Sequence, residues 1–173
     1  YWDTSSGTGT RAVDIASLSG NNQPEVANIV LVSERDRHVI AFGCDPQGDP
    51  GNQDPLIIRF SDQESFTDWE ARDNNTAGEL RIGTGSEIIA AVQTKQQVIV
   101  FTDRSVSALQ FIGAPFTFGL TEVSTNTSIA SQNAAVAFGD DVYWMGDQSF
   151  YRYDGNVRPI PCPVEEYVFS GMN

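Results

Sequence analysis

Histidine and cysteine are scarce in this sequence, and this limits the chemistry that the chain can carry out. The 173 residues include one histidine, His38, and two cysteines, Cys44 and Cys162. Because transition-metal sites are built from clustered His and Cys ligands, no such site is predicted. Two cysteines do not make a disulfide framework, so both are predicted to be reduced and to face the core. His38 follows the charged turn ERDR and is predicted to be solvated or hydrogen-bonded there.

Basic residues are also few. Ten Lys and Arg stand against 23 Asp and Glu, which gives a formal net charge of −13. This balance argues against tight wrapping of nucleic acid, because such binding depends on neutralising phosphates with Lys and Arg. An acidic surface still suits a conduit along which DNA slides without adsorbing, while ordinary solubility is the alternative reason for the charge.

Long apolar runs and helical patterns are missing as well. No run of about 18 apolar residues is present, so membrane insertion is not expected. No signal-peptide pattern is found, and because the chain begins at Tyr1 and not at Met, its targeting is not readable from the sequence. No window carries a capped apolar stripe of period 3.6, so we expect almost no helix, with one helical turn in PVEEYVF, residues 163–169.

Catalytic motifs are not found either. The sequence has no GxSxG string and no nucleophile beside a credible base. RIGTGSE, from Arg81 to Glu87, lies between two predicted strands and opens no helix, so it is interpreted as a turn and not as a phosphate-binding loop. We therefore expect a protein that is not an enzyme, without catalytic residues, metal or cofactor.

Short runs rich in β-branched and aromatic residues recur along the chain and predict β-strands. They end at turn signals such as TDR and YDGN, which favour tight antiparallel hairpins. Several runs are apolar at successive positions, as is typical of sheets covered on both faces. The nine predicted strands are Ile29–Val32, His38–Phe42, Pro55–Phe60, Glu87–Val92, Gln97–Phe101, Ser105–Phe111, Ala134–Phe138, Asp141–Met145 and Ser149–Tyr153.

The sequence repeats itself with an offset of 44 residues. VIVFTDRSVSALQFIGAP, which begins at Val98, aligns without a gap with VYWMGDQSFYRYDGNVRP, which begins at Val142. Ala91-Val92 aligns with Ala135-Val136 at the same offset. A strand-built period of about 40–45 residues is the signature of a β-propeller blade. Residues 98–111 and 142–153 are therefore predicted to be equivalent antiparallel hairpins in adjacent blades, with Phe101, Leu109, Trp144 and Phe150 as core positions between blades.

The predicted fold is all-β, with β-propeller-type antiparallel blades in a single segment. Three blade-like repeats are assigned to residues 28–69, 80–123 and 128–173, and residues 1–27 to an incomplete N-terminal strand. Because a propeller needs about four to eight blades to close, we expect a partial propeller that is a segment of a longer chain. The alternative is a small independent β-sandwich.

One acidic loop is the candidate functional segment. DPQGDPGNQDP, residues 45–55, contains three Asp-Pro pairs and two glycines. It is interpreted as a long exposed loop that reaches a channel or a neighbouring subunit, with Asp45, Asp49 and Asp54 as the candidate residues. The Asp, Asn and Gln oxygens of this loop could instead hold a hard cation such as calcium, although the order of an EF-hand loop is absent.

Several long strings resemble tail proteins of short-tailed bacteriophages. The resemblance is to the tail nozzle or tail tubular protein B type, with the packaged-DNA stabilisation proteins as close neighbours. It covers roughly residues 28–173 and is densest after Asp54. The strings are FSDQESFTDWEA, NTAGELRIGTGSEIIAAVQTKQQVIVFTD, FIGAPFTFG, NAAVAFGDDVYWMGDQSFYRYDG and VRPIPCPVEEYVF.

The resemblance implies a non-enzymatic virion structural protein of the phage tail. Such a subunit bears a β-propeller and assembles as a homo-oligomeric ring, usually a hexamer, that forms the genome-ejection channel. Its expected partners are the adaptor and portal-proximal proteins, the fibres, and DNA that passes without specific binding. Proteins of this family are several times longer than this chain, and no functional residue is carried over from them.

A second class of function remains open. A β-propeller could bind or cleave carbohydrate, for example in host recognition. Cleavage would require a cleft with convergent carboxylates, and binding would require exposed aromatic side chains, for which Tyr1, Trp2 and Phe116 are the candidates. A ring bound to virions indicates the first function, and a monomer that binds sugar indicates the second.

Overall fold

Residues 1–171, the part of the chain that this computed structural model describes, contain three antiparallel β-sheets of four strands each. Neighbouring strands in each sheet are also neighbours in the chain. The first sheet contains β1 (Ala27–Ser33), β2 (His38–Cys44), β3 (Ile57–Phe60) and β4 (Gly78–Arg81). The second contains β5 (Ile88–Gln93), β6 (Gln97–Thr102), β7 (Val106–Gly113) and β8 (Thr117–Ser124). The third contains β9 (Ala135–Phe138), β10 (Asp141–Met145), β11 (Phe150–Tyr153) and β12 (Val157–Ile160).

The all-β prediction is confirmed, and all nine predicted strands are present. The helical turn expected near the C-terminus is also present, as α1 (Glu165–Ser170). The sheets number three in the described residues, whereas the β-sandwich alternative requires two. No helix within residues 1–171 has the length and hydropathy that a membrane crossing needs.

The 44-residue repeat keeps its strand register. In the second sheet Val98 pairs with Leu109 and Ile99 with Ala108, and in the third sheet Val142 pairs with Tyr153 and Tyr143 with Arg152. The other two β10–β11 pairs likewise lie 44 residues after β6–β7 pairs. The two predicted hairpins are therefore equivalent, because both are antiparallel and both form the second and third strands of their sheets.

The turns of the two hairpins share a hydrogen bond. The Thr102 N–H donates to the Ser105 carbonyl at 2.9 Å, and 44 residues later the Gly146 N–H donates to the Ser149 carbonyl at 2.9 Å. This bond closes the turn whichever residue provides the N–H. The repeat is therefore a repeat of backbone geometry more than of side chains.

Two apolar cores hold the three sheets together. Between the first and second sheets, Ile40 and Phe60 pack in one cluster with Val100 and Leu109. Between the second and third sheets lies a separate cluster, whose buried members include Ile99, Phe101, Val142 and Trp144. Strand β5 contacts β1, β2 and β9, so the three sheets approach one another at their first strands.

Three expectations about boundaries and packing are wrong. Residues 1–26 form no strand of a sheet; they contain two short 3-10 helices, Thr4–Ser6 and Ile15–Ser17, and one bridge from Asn21 to Asp68. The sheets span residues 27–81, 88–124 and 135–160, because Gly78–Arg81 pairs with β3 and closes the first sheet. Phe150 is only half-buried, since it lies on the face of the third sheet turned away from the second.

Candidate functional site

Asp45 of the acidic loop is buried, with 1% of its surface exposed. Its Oδ1 accepts hydrogen bonds from the backbone N–H groups of Glu25 at 2.9 Å and Val26 at 2.8 Å. Its Oδ2 lies 3.9 Å from Nη1 of Arg59, which is buried as well. The interpretation of Asp45 as an exposed residue that faces a channel or a neighbour is therefore wrong, because its carboxylate is enclosed by this chain.

Arg59 ties the N-terminal segment to the first sheet. Nη2 donates to the carbonyl oxygens of Asn22 and Trp69, and Nη1 donates to the Asp45 carbonyl at 3.2 Å. Arg59 stands inside the apolar string PLIIRF, and a lone charge in a fully buried strand implies a buried partner. The sequence therefore indicates that Arg59 has a buried partner, although it does not show that the partner is Asp45.

The other two loop aspartates are more accessible. Asp49 is exposed, and its Oδ1 accepts a hydrogen bond from Asn52 Nδ2 at 2.7 Å. Asp54 is half-buried and accepts from Arg81 Nε at 2.8 Å, and this hydrogen bond lowers the pKa of the Asp54 carboxyl. Across residues 1–171 no three His, Cys, Asp or Glu side chains converge as a metal site would require. The role of Asp49 and Asp54 at a channel or neighbour stays a prediction.

His38 is fully buried, so the prediction that it is hydrogen-bonded is confirmed and the solvated alternative is wrong. Its Nε2 lies 3.2 Å from Thr76 Oγ1, which itself donates to Asp62 Oδ1 at 2.6 Å and accepts from the Gln63 N–H. Nε2 is therefore the protonated nitrogen, and Nδ1 has no partner. Burial lowers the pKa of His38. The arrangement fastens residues 62–76 onto β2 and contains no free nucleophile.

A groove of about 990 Å³ lies between the outer strands of the first and second sheets. Residues 71–80 form one wall, and residues 112–119, around the β7–β8 turn, form the other. Phe60 and Phe118 line it from the core, while Phe116 stands in the groove with 73% of its surface exposed. Polar side chains of Gln47 and Asn75 also reach it. An exposed aromatic ring beside amide groups suits a polar ligand with an apolar face.

The third sheet has a face that no other sheet covers. Val142 and Trp144 point to the second sheet, so Tyr143 and Met145 point away from it, because successive side chains alternate. We call this surface the open face of the third sheet, and its members include Val136, Phe138, Tyr143, Met145, Phe150 and Arg152. Val136 and Phe138 are exposed, while Phe150 is partly covered by Phe169 of α1 at 5.3 Å between ring centres.

The first sheet has an open face too, on its side away from the second sheet. Residues 1–26 and Trp69 lie over the part of this face where Ala41 and Cys44 of β2 and Ile57 of β3 are buried, and they reach as far as Ala27 and Val30 of β1. Val30 and Val32 of β1 remain exposed. Both open faces are therefore partly covered by terminal or loop segments and keep exposed apolar side chains on their first strands.

The first strands β1, β5 and β9 carry no charged residue, although the chain as a whole is strongly acidic. The carboxylates lie instead in turns, in loops and in later strands.

The chain matches no protein-family model and no curated protein.

Proposed function

We propose that the three sheets are consecutive blades of a β-propeller in a non-enzymatic structural protein of a short-tailed phage tail. The observation that supports the propeller is that the face with which the second sheet contacts the third has an uncovered counterpart on the third sheet. Val92, Ile99 and Phe101 pack at the interface of the second sheet with the third. Their counterparts 44 residues later are Val136, Tyr143 and Met145, on the open face of the third sheet. A surface that is an interface in one repeat is thus presented, uncovered, by the next.

The way in which the sheets approach one another supports the same proposal. The sheets meet at their first strands, and each successive sheet stacks its face on the one before. Blades of a propeller are arranged radially in this way, with the first strand of each nearest the axis. Because closure takes about four to eight blades, further sheets are needed beyond the three.

The assignment to a tail nozzle is based on the resemblance of residues 28–173 to that family. In this proposal the subunit assembles as a homo-oligomeric ring, with six copies implied by the resemblance, in contact with adaptor, portal-proximal and fibre proteins. Its net charge of −13 favours passage of DNA without adsorption, because a wall that repels phosphate does not hold the duplex. Asp49 is the exposed loop carboxylate best suited to such a wall.

Two measurements test this assignment. Immunogold labelling with antibodies to the chain should mark the tails of short-tailed particles, and labelling confined to the soluble fraction would contradict it. A gel-shift titration of double-stranded DNA at about 0.15 M salt should show no complex, because the acidic surface repels phosphate. Nanomolar binding in that titration would rule out a non-adsorbing conduit.

The groove beside Phe116 favours a second candidate, a carbohydrate-binding propeller. A glycan-array screen of the wild type and of Phe116→Ala would discriminate the two. The nozzle proposal expects no glycan bound by either protein. Binding that disappears in Phe116→Ala but persists in Tyr167→Ala, a control at an exposed aromatic ring outside the groove, would support host recognition instead.

A further inference from the structure

We propose that His38 is a pH-dependent latch, which holds one wall of the groove closed while its ring is neutral and releases that wall when the ring takes up a proton. The wall is the turn of residues 70–76, which precedes β4 and includes Ala71 and Thr76 among the residues that line the groove. We call it the wall turn. The inference goes beyond the proposed function, because it concerns the control of the groove and depends neither on the tail assignment nor on a glycan ligand.

The His38 ring lies directly behind the groove. Phe60 and Phe118, which line the groove from the core, meet this ring edge to face, at 6.5 Å and 5.2 Å between ring centres. Phe111 lies against it at 5.9 Å. The ring is fully buried among these three side chains. Such an environment suits the neutral imidazole and penalises the charged one.

The wall turn keeps its own shape through hydrogen bonds made by Asn75. Its Oδ1 accepts from the Arg72 N–H at 3.0 Å, and its Nδ2 donates to the Glu70 carbonyl at 2.8 Å. Trp69, directly before the turn, is buried against the opposite face of the first sheet, and β4 begins at Gly78 shortly after it. The turn can therefore move as a unit between two ends that are fixed in the sheet.

Two hydrogen bonds attach the wall turn to β2 and to the loop after it, among the residues that the structure describes. The Ala71 N–H donates to Gln47 Oε1 at 3.0 Å, and His38 Nε2 donates to Thr76 Oγ1 at 3.2 Å. The further hydrogen bonds of Thr76 stay within the connection between β3 and β4. Of the two attachments, only the one through His38 can change with pH, because an amide does not titrate.

A second proton on the His38 ring has no acceptor in the folded chain. Nε2 already carries the proton that it donates to Thr76, so the added proton goes to Nδ1, which is buried and has no hydrogen-bond partner within residues 1–171. Burying a donor that is both charged and unpartnered is unfavourable. Water reaches Nδ1 when the wall turn moves away, so protonation favours the open position of the turn.

The charged groups near the ring do not cancel this effect. Burial lowers the pKa of His38, and Asp36 and Asp62, which favour the charged ring, offset only part of that decrease. Arg37, the next charged side chain along the chain, pairs with Glu64 at the surface. Strands β3, β7 and β8 face the ring with phenylalanine side chains. The neutral ring is therefore the form that the closed groove accommodates.

Hydrogen exchange followed by mass spectrometry tests the latch. At about pH 5, peptides that cover the wall turn should exchange about tenfold or more faster in the wild type than in His38→Gln, which keeps an amide donor toward Thr76 but takes up no proton. At about pH 7.5 the two proteins should exchange equally, because His38 is then neutral. Comparing the two proteins at one pH removes the effect of pH on the exchange chemistry itself.

Two controls accompany this comparison. Residues 142–153 of the third sheet are the internal control, and they should exchange equally in both proteins at each pH. Gln47→Ala is the matched variant, because it removes the attachment that does not titrate. Its wall turn should exchange faster than that of the wild type at both pH values.

Two outcomes of the exchange experiment would overturn the inference. Equal exchange of the wall turn in the wild type and His38→Gln at about pH 5 shows that the ring does not hold the turn. Faster exchange that extends to residues 142–153 shows unfolding of the whole chain in place of a latch.

NMR gives a readout that needs no variant. His38 is the only histidine of the chain, so its ring gives a single Cε1–H signal. The midpoint of its titration should lie below about 6.5 and coincide with the midpoint of the change in wall-turn exchange. A midpoint at or above about 6.5, the value of a solvated imidazole, contradicts the latch. None of these measurements involves tails, DNA or glycans, so failure of the latch is distinguishable from failure of the proposed function.

Discussion

Trp144→Ala is the sharpest test of the packing between the second and third sheets. The Trp144 side chain is 3% exposed and lies in the core that joins these sheets. It meets Phe101 edge to face at 5.1 Å between ring centres and stacks on Tyr151 at 5.4 Å. Its indole Nε1 donates a hydrogen bond to the Ser128 carbonyl at 3.3 Å.

The expected loss of unfolding free energy is about 3–5 kcal/mol, the range for deleting a buried aromatic side chain. Part of this loss comes from the two aromatic contacts, at about 0.5–1.5 kcal/mol each. The Ser128 carbonyl that loses its donor adds about 1 kcal/mol. Because whole domains are stable by only about 5–15 kcal/mol, the variant should lose a large fraction of the free energy of unfolding.

Urea denaturation followed by circular dichroism measures this loss. Trp144→Phe should lose less than the alanine variant, because it keeps a ring against Phe101 and gives up only the indole hydrogen bond and some area. Phe116→Ala is the control, and its stability should change by less than about 0.5 kcal/mol, because its ring is exposed. A loss below about 1 kcal/mol in Trp144→Ala would show that the packing between the two sheets is not as described.

Three further predictions concern buried polar groups. Arg59→Ala should lower the free energy of unfolding, measured by urea denaturation, by about 3–5 kcal/mol, because the buried Asp45 carboxylate loses its counter-charge. Adding Asp45→Asn to Arg59→Ala removes the unpaired charge and should restore part of the lost stability; if the double variant is no more stable than Arg59→Ala, the ion pair is contradicted. Burial raises the pKa of Cys44 to about 12, so this thiol should not react with a thiol reagent at about pH 8 until the protein is unfolded, and the absorbance of the released chromophore counts the thiols that have reacted. The pKa of His38 is lowered in the folded state, so the unfolded chain binds a proton at higher pH and the free energy of unfolding should fall as the pH drops below about 6.5. In His38→Gln the urea midpoint should depend less on pH between about 6.5 and 5 than in the wild type, and an equal pH dependence in both proteins would show that His38 does not contribute.

The strands that the sequence did not predict are the fourth strands of the sheets. Strand β4 reads GELR, β8 reads TFGLTEVS, and β12 reads VRPI with Pro159 inside it. Charge, glycine and proline lower the strand signal, and edge strands tolerate these residues because one edge faces solvent. Strands such as β2 and β6, which are buried on both faces, were predicted because such burial leaves them almost continuously apolar.

Asp45 and Phe150 show that a local sequence pattern does not determine whether a side chain is buried. Both the Asp-Pro loop and the 44-residue offset were recognised correctly, yet Asp45 is buried because Glu25, Val26 and Arg59 approach it from distant parts of the chain. Phe150 corresponds to the fully buried Val106, but the third sheet has no following sheet over it within residues 1–171. Burial depends on these tertiary neighbours, which a local pattern does not contain.

The open face of the third sheet already pairs the positive charge at its centre. Arg152 takes the place that Ala108 holds in the second sheet, and a guanidinium on a surface to be covered is costly unless it is paired. Its Nη2 lies 2.8 Å from Asp141 Oδ2, and its charged group lies 5.8 Å from the centre of the Tyr143 ring. Because Asp141 and Tyr143 belong to the same sheet as Arg152, another sheet can cover this face without supplying a counter-charge. The apolar side chains of β9 then contribute most of the binding energy at this face.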